Sequence, residues 1–241
     1  MREVCKRAAW VLKKVQEAVA PGVSTYELDC IAQKSMEECD VQSASYGYGH
    51  GKHRFPGYIC VSVNEELVHG IGRPQRFIQP GDIVSLDVTV KYDGFVGDNA
   101  ETVCVEPIDL KIKDLVDVTR KALKEGISQA CPGNRVGHIS SAIQHFVESK
   151  GYNVVRELVG HGIGRNMHEE PQIPNFGRPT DGPVLQEGMT LAIEPMVTLG
   201  SAVIKTADDG WTVSMKDRKW CAHAEHTILI TKDGPEILTI G

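Results

Sequence analysis

Two hydrophobic periods alternate along this chain. From Arg2 to Val19, the residues Val4, Ala8, Val11, Val15 and Ala18 recur at helical spacing between lysines and arginines, and Ala20-Pro21-Gly22 ends the pattern. Ser24-Thr25-Tyr26-Glu27 sets serine and glutamate in capping-box order and predicts a second helix to about Glu38. The helical period returns from Leu110 to Ala130 and, after Pro132-Gly133, from about Val136 to Lys150. Elsewhere β-branched runs predict strands at Tyr58 to Val63, Ile83 to Val90, Phe95 to Val105, Val154 to Val159, Thr190 to Val197, Ala202 to Thr206 and His223 to Thr231. A Pro-rich loop is expected to reach about Pro183. The order is helices, strands, helices, strands.

That order repeats itself in detail. Pro21-Gly22 with Leu28, Ile31 and Met36 answers to Pro132-Gly133 with Ile139, Ala142 and Val147. Glu66 to Gly72 answers to Glu157 to Gly164 with one residue inserted, and Ile78-Gln79, Gly81 and Asp87 answer to Leu185-Gln186, Gly188 and Glu194. Three matches in one order imply a duplicated unit, with halves at about 1–108 and 109–241 in a single domain.

The acids inside the strands change the picture. Asp93-Gly94 predicts a two-residue hairpin turn, which sets Thr89 opposite Asp98 and makes Asp87 its diagonal neighbour, roughly 7–8 Å away on the same face. They are either two ordinary surface acids or a pair built around cations, because desolvated like charges are costly without one. The repeat supplies counterparts: Glu194 lies in the apolar run Met189 to Val197, and Glu225 answers to Asp98. Four carboxylates are thus expected to converge near a pseudo-twofold axis. With the imidazole of His161, they form a mixed O/N set suited to Mn²⁺, Fe²⁺, Co²⁺ or Zn²⁺. Two ions sharing such ligands would carry a bridging hydroxide and polarise a carbonyl, which is the chemistry of amide hydrolysis.

Composition narrows the alternatives. Of 241 residues, 41% are hydrophobic and 24% charged, which is ordinary globular material. The net charge of −6 has no basic run, so no nucleic-acid site is expected. Seven dispersed cysteines without a CxxC pair argue against a disulfide framework or a thiolate zinc site. No run approaches a membrane span and no signal peptide opens the chain, so a soluble cytoplasmic protein is expected.

Asp87, Asp98, His161, Glu194 and Glu225, in the contexts SLDV, GDNAET, GHGIG, IEPM and EHT, resemble the ligand set of type I methionine aminopeptidases, and the resemblance covers nearly the whole chain. It implies an α+β fold of the pseudo-twofold duplicated pita-bread kind, with an antiparallel sheet core and helices outside. It further implies two divalent metal ions (Co, Mn, Fe or Zn) and removal of methionine from the N-termini of nascent proteins whose second residue is small. Such a protein would be a monomer that meets its substrate at the ribosome. By the same resemblance, His69 in LVHGIG lies near the scissile amide, His168 in NMHEEP contacts the substrate carbonyl, and Glu194 also handles a proton. Tyr48, Phe55, Cys60, Met167 and Trp211 stand at the positions of the methionine pocket. Phe55 and Met167 replace the Tyr and Phe more usual there.

Within the loop from Tyr46 to Arg54, the stretch Gly49 to Arg54 contains a few residues more than in that family, and His50 and His53 have no role that the resemblance transfers; they are expected to be solvated. No zinc-binding N-terminal extension is expected, nor the short segment that precedes the first helix in many relatives. A type II enzyme would need a helical insertion between Gly164 and Glu194 for which there is no room. The remaining alternatives are an Xaa-Pro aminopeptidase or dipeptidase with the same metal site, and a peptide-binding relative without catalysis.

Overall fold

The computed structural model describes residues 1–51 and 53–240; Lys52, within the Tyr46 to Arg54 loop, lies outside them. The helices fall close to their predicted bounds: α1 (Arg2–Ala18), α2 (Thr25–Glu38), α3 (Leu110–Ser128) and α4 (Val136–Ser149). At the start of α2 the predicted capping box is formed, with Ser24 Oγ accepting from Glu27 N and Glu27 Oε2 accepting from Ser24 N. The apolar stripe of α1, including Val4, Ala8, Val11 and Val15, is buried.

Among the described residues, nine strands form the main sheet. Gln42–Ser43, Ile83–Tyr92, Phe95–Cys104, Glu225–Thr231, Thr190–Ile193, Val159–Gly162 and Glu169–Pro174 lie side by side, with Cys60–Val63 and Gly234–Ile237 added as branches. Every pairing among the described strands is antiparallel. The central hairpin has the register read from its turn: Thr89 faces Asp98 and Tyr92 faces Phe95. Asp93 and Gly94 form the loop at φ values of 48° and 74°, the left-handed conformation that a primed turn needs.

The duplication extends to hydrogen bonds. Gly22 N donates to Ile78 O, and Gly133 N donates to Leu185 O. Gly81 and Gly188 both adopt φ 90°, and their N–H groups donate to Val105 O and Ile230 O at 2.9 Å. Each pair of helices covers its own apolar core. One contains Val11, Leu28, Met36 and Leu86, the other Leu115, Ile139, Ile143 and Leu191. One matched pair of segments diverges: Glu66–Val68 joins a three-stranded sheet with Val213–Met215, whereas Val159–Gly162 joins the main sheet. His69 follows the first of these at φ 58° and turns the chain away.

Several predicted strands are corrected. Val154 to Val159 is not continuous; pairing covers only Asn153–Val154 and Val159–Gly162. The Pro-rich loop contains the strand Glu169–Pro174. Thr190 to Val197 divides into Thr190–Ile193 and Met196–Thr198, and His223 to Thr231 divides at Ala224. Pro195 has no N–H to give a ladder, and the Glu194 carbonyl is taken by Asn175 Nδ2 at 3.0 Å. The two breaks face each other, since Ile193 pairs with His226 and Met196 with His223. Both chains step together from the main sheet to a smaller one. Glu194 therefore lies between strands rather than within one.

Candidate active site

The step between the sheets opens a cleft of about 180 Å³. It is lined by Asp87, Asp98, His161, Glu194 and Glu225 together with His69, His168, Tyr48, Phe55, Cys60, Met167 and Trp211. All the residues singled out in the sequence are brought to one place. His50 and His53 are not among them; they sit exposed on a short hairpin, Gly49–His50 with His53–Arg54.

Asp98, His161 and Glu225 each present a ligand atom, all within 4.8 Å of one another and all buried. Glu194 Oε1 stands 3.5 Å from His161 Nε2, and the Asp87 carboxyl lies beside those of Asp98 and the Cys60 thiol. The tautomer of His161 follows from its partner: Nδ1 faces Gly162 O at 2.9 Å, a carbonyl that can only accept, so Nδ1 carries the proton. Its Nε2 then turns a lone pair toward a carboxylate oxygen. Glu225 Oε1 is buried without any hydrogen-bond partner among the described residues. Lone pairs from an imidazole and several acids facing one another form a donor set that fits a divalent cation, and the Nδ1 anchor is the usual outer support of a ligating histidine.

Electrostatics agree. Burial pushes Asp87 up to about 6 from an ordinary 3.8. Burial and the neighbouring acids hold Asp98, Glu194 and Glu225 well above the carboxylate range. His161 is lowered to about 4 by burial, and His69 and His168 are lowered as well, so all three imidazoles are neutral at pH 7. Acids whose folded-state values exceed their unfolded ones hold extra protons when folded, so without cations stability falls as pH rises from about 4 through 6 and above. A saturating divalent cation at pH 7.5 is expected to raise Tm by roughly 5–10 °C, and by much less at pH 5. Scanning fluorimetry at both pH values checks this, and an equal response at the two would sink it.

The wall of the cleft is apolar and aromatic. Trp211 meets the Phe55 ring edge-on at 5.4 Å and the His69 ring at 6.5 Å. Its backbone N–H is held by Asp209, which also takes a bond from Arg73. Tyr48 Oη lies 3.1 Å from His168 Nδ1, and the His168 and His161 rings meet at 4.5 Å. His69 has a left-handed φ of 58°, and Gly70 follows in a space with no room for a Cβ, which would sit 2.3 Å from Val61 O.

Sequence reasoning missed other lining residues, notably His223, with Ser45, Val68, Leu158 and Met196. His223 stands two positions before Glu225, and the strand period that places both on one face was the available signal.

Residues 1–232 match metallopeptidase family M24. The chain belongs to that family. Methionine aminopeptidase 1 of Bacillus subtilis is 47% identical over 239 residues, which span 99% of this chain and 94% of that protein. The crystal structure of methionine aminopeptidase from Thermotoga maritima superposes with a TM-score of 0.97 at 45% identity, covering 100% of this chain and 95% of that one. Membership therefore extends to the methionine aminopeptidase group of the M24 family, and the expected pita-bread architecture is the observed one. A prolidase from Pyrococcus furiosus shares only the fold, at 21% identity and a TM-score of 0.77, with this chain spanning 62% of its length. Membership of M24 carries divalent-metal use with it. No helix among the described residues is long and apolar enough to cross a membrane.

Proposed function

We infer that this chain is a metal-dependent aminopeptidase that hydrolyses the first peptide bond of chains beginning with methionine. The observation that carries the reading is the buried acid and imidazole cluster at the base of a cleft walled by Phe55, Met167 and Trp211. Asp87, Asp98, His161, Glu194 and Glu225 would hold two divalent ions, Co, Mn, Fe or Zn. Such ions supply Lewis acidity and an activated water.

The protein's own groups do the rest. Glu194, a carboxyl raised by burial and by its acidic neighbours, is suited to accept a proton near neutral pH and return it to the leaving amine. With the Tyr48 phenol donating to His168 Nδ1, the remaining proton sits on His168 Nε2, free to donate to the substrate carbonyl. Neutral His69, beside the Trp211 ring, serves the scissile amide. Phe55, Cys60, Met167 and Trp211 take the thioether side chain through apolar and sulfur–aromatic contacts, each worth about 0.3–1.5 kcal/mol. In this reading the substrates are nascent proteins with a small second residue, met by a cytoplasmic monomer at the ribosome. The two halves meet at about 108/109 and act as one catalytic unit.

Metal-free protein reconstituted with Mn²⁺, Co²⁺, Fe²⁺ or Zn²⁺ and given Met-Ala-Ser and Ala-Pro-Ala tests this. Methionine release that requires metal is the expected result. Cleavage before proline would replace the reading with an Xaa-Pro peptidase, and no turnover with any of the metals would leave a peptide-binding protein.

A further inference from the structure

His223 is 2% exposed, lines the cleft, and makes no hydrogen bond through either ring nitrogen to any of the described residues. Buried imidazoles are normally satisfied, so a ring with both nitrogens unpartnered at the wall of a site calls for a function. Its backbone is held on both sides: Thr102 Oγ1 accepts from His223 N at 3.0 Å and donates to His223 O at 2.7 Å. The strand Cys221–His223 is further fixed by pairing with Met196–Thr198. The ring is thus delivered to its place by a rigid support and left free at its polar end.

That end faces Glu194. His223 Nε2 stands 3.7 Å from Glu194 Oε2, while His161 Nε2 stands 3.5 Å from Glu194 Oε1. One carboxylate is bracketed by two imidazoles of different character. His161 has its proton committed to Gly162 O and offers only a lone pair to Glu194. His223 Nδ1 has no such commitment, so Nε2 is free to carry the proton. A charge-assisted N–H···O bond runs to about 2.9 Å, so a side-chain shift under ~1 Å closes the gap.

We propose that His223 is a positioning residue of the metal centre: its Nε2–H donates to Glu194 Oε2 and fixes the carboxylate with Oε1 turned toward His161 and the cation. The proposal rests on the reading that Glu194 serves that centre. Supports of this kind act by restricting the ligand's rotation, and their loss typically costs 10–100-fold in metal affinity.

Metal-free wild type, His223→Gln and His223→Leu are titrated calorimetrically with Co²⁺, and visible spectra of the Co²⁺ proteins are recorded. Glutamine keeps an N–H donor of similar reach, so its affinity and spectrum are expected to stay close to wild type. Leucine fills the space without a donor, and a loss of about 10–100-fold with altered ligand-field bands is expected. Should the leucine variant fail to fold, His223→Asn, one methylene too short to reach, replaces it. Wild-type affinity and spectrum in the donorless variant, or an equal loss in both variants, would overturn the proposal while leaving the metal centre intact. A wild-type protein that takes up no Co²⁺ would remove the metal centre and the proposal together.

Discussion

Replacing Asp98 or Glu225 with alanine is expected to abolish cation uptake and methionine release together, with turnover falling on the order of 10³-fold or more. Asp98 is held in place by Thr89 Oγ1, which donates to Oδ1 at 2.8 Å, and Glu225 Oε1 has no hydrogen-bond partner among the described residues. The same substitutions remove an acid from a crowded buried cluster in which Asp87 raises Asp98, and Asp98, Glu194 and Asp87 raise Glu225. Without cations the variants should therefore melt at or above the wild-type temperature near pH 7.5, which separates loss of a ligand from loss of the fold. Metal analysis, a methionine-release assay and thermal melts decide the matter, and full activity in either variant would exclude the proposed centre.

For His69→Ala the expected result is a fall in kcat of about 10²–10⁴-fold with cation content unchanged, the pattern of a group that acts mainly in the transition state. His69 is mostly enclosed, neutral, and set on a strained turn between Val68 and Gly70, an expense the fold carries for one side chain. Because Trp211 leans on the His69 ring, KM should rise modestly through a loosened pocket wall. Loss of the cations from this variant would instead show that His69 supports the metal centre.

What could be read in the sequence was local chemistry and period. Asp93-Gly94 sets its own turn, and the turn sets the register that brings Asp87 and Asp98 to one face. The repeat was legible because the two copies keep the same glycines at the same bends. The breaks were not. Thr190 to Val197 reads as one apolar run in which Pro195, without an N–H for a ladder, is the sole hint, and the stop is completed by the tertiary partner Asn175, which takes the Glu194 carbonyl. Glu169–Pro174 was hidden by its prolines, which are tolerated because this strand lies at the edge of the sheet. His223 escaped notice for the opposite reason: between Cys221-Ala222 and Ala224 it passes for a core position, and its orphaned nitrogens exist only once the chain is folded.

The doubled hydrogen-bonding pattern divides the proposed centre between two copies of one unit. Asp87 and Asp98 come from one copy of the repeat, and His161, Glu194 and Glu225 from the other. The full set exists only where the two copies meet, so a substitution that loosens their contact would reach the cation site without touching any of the five side chains.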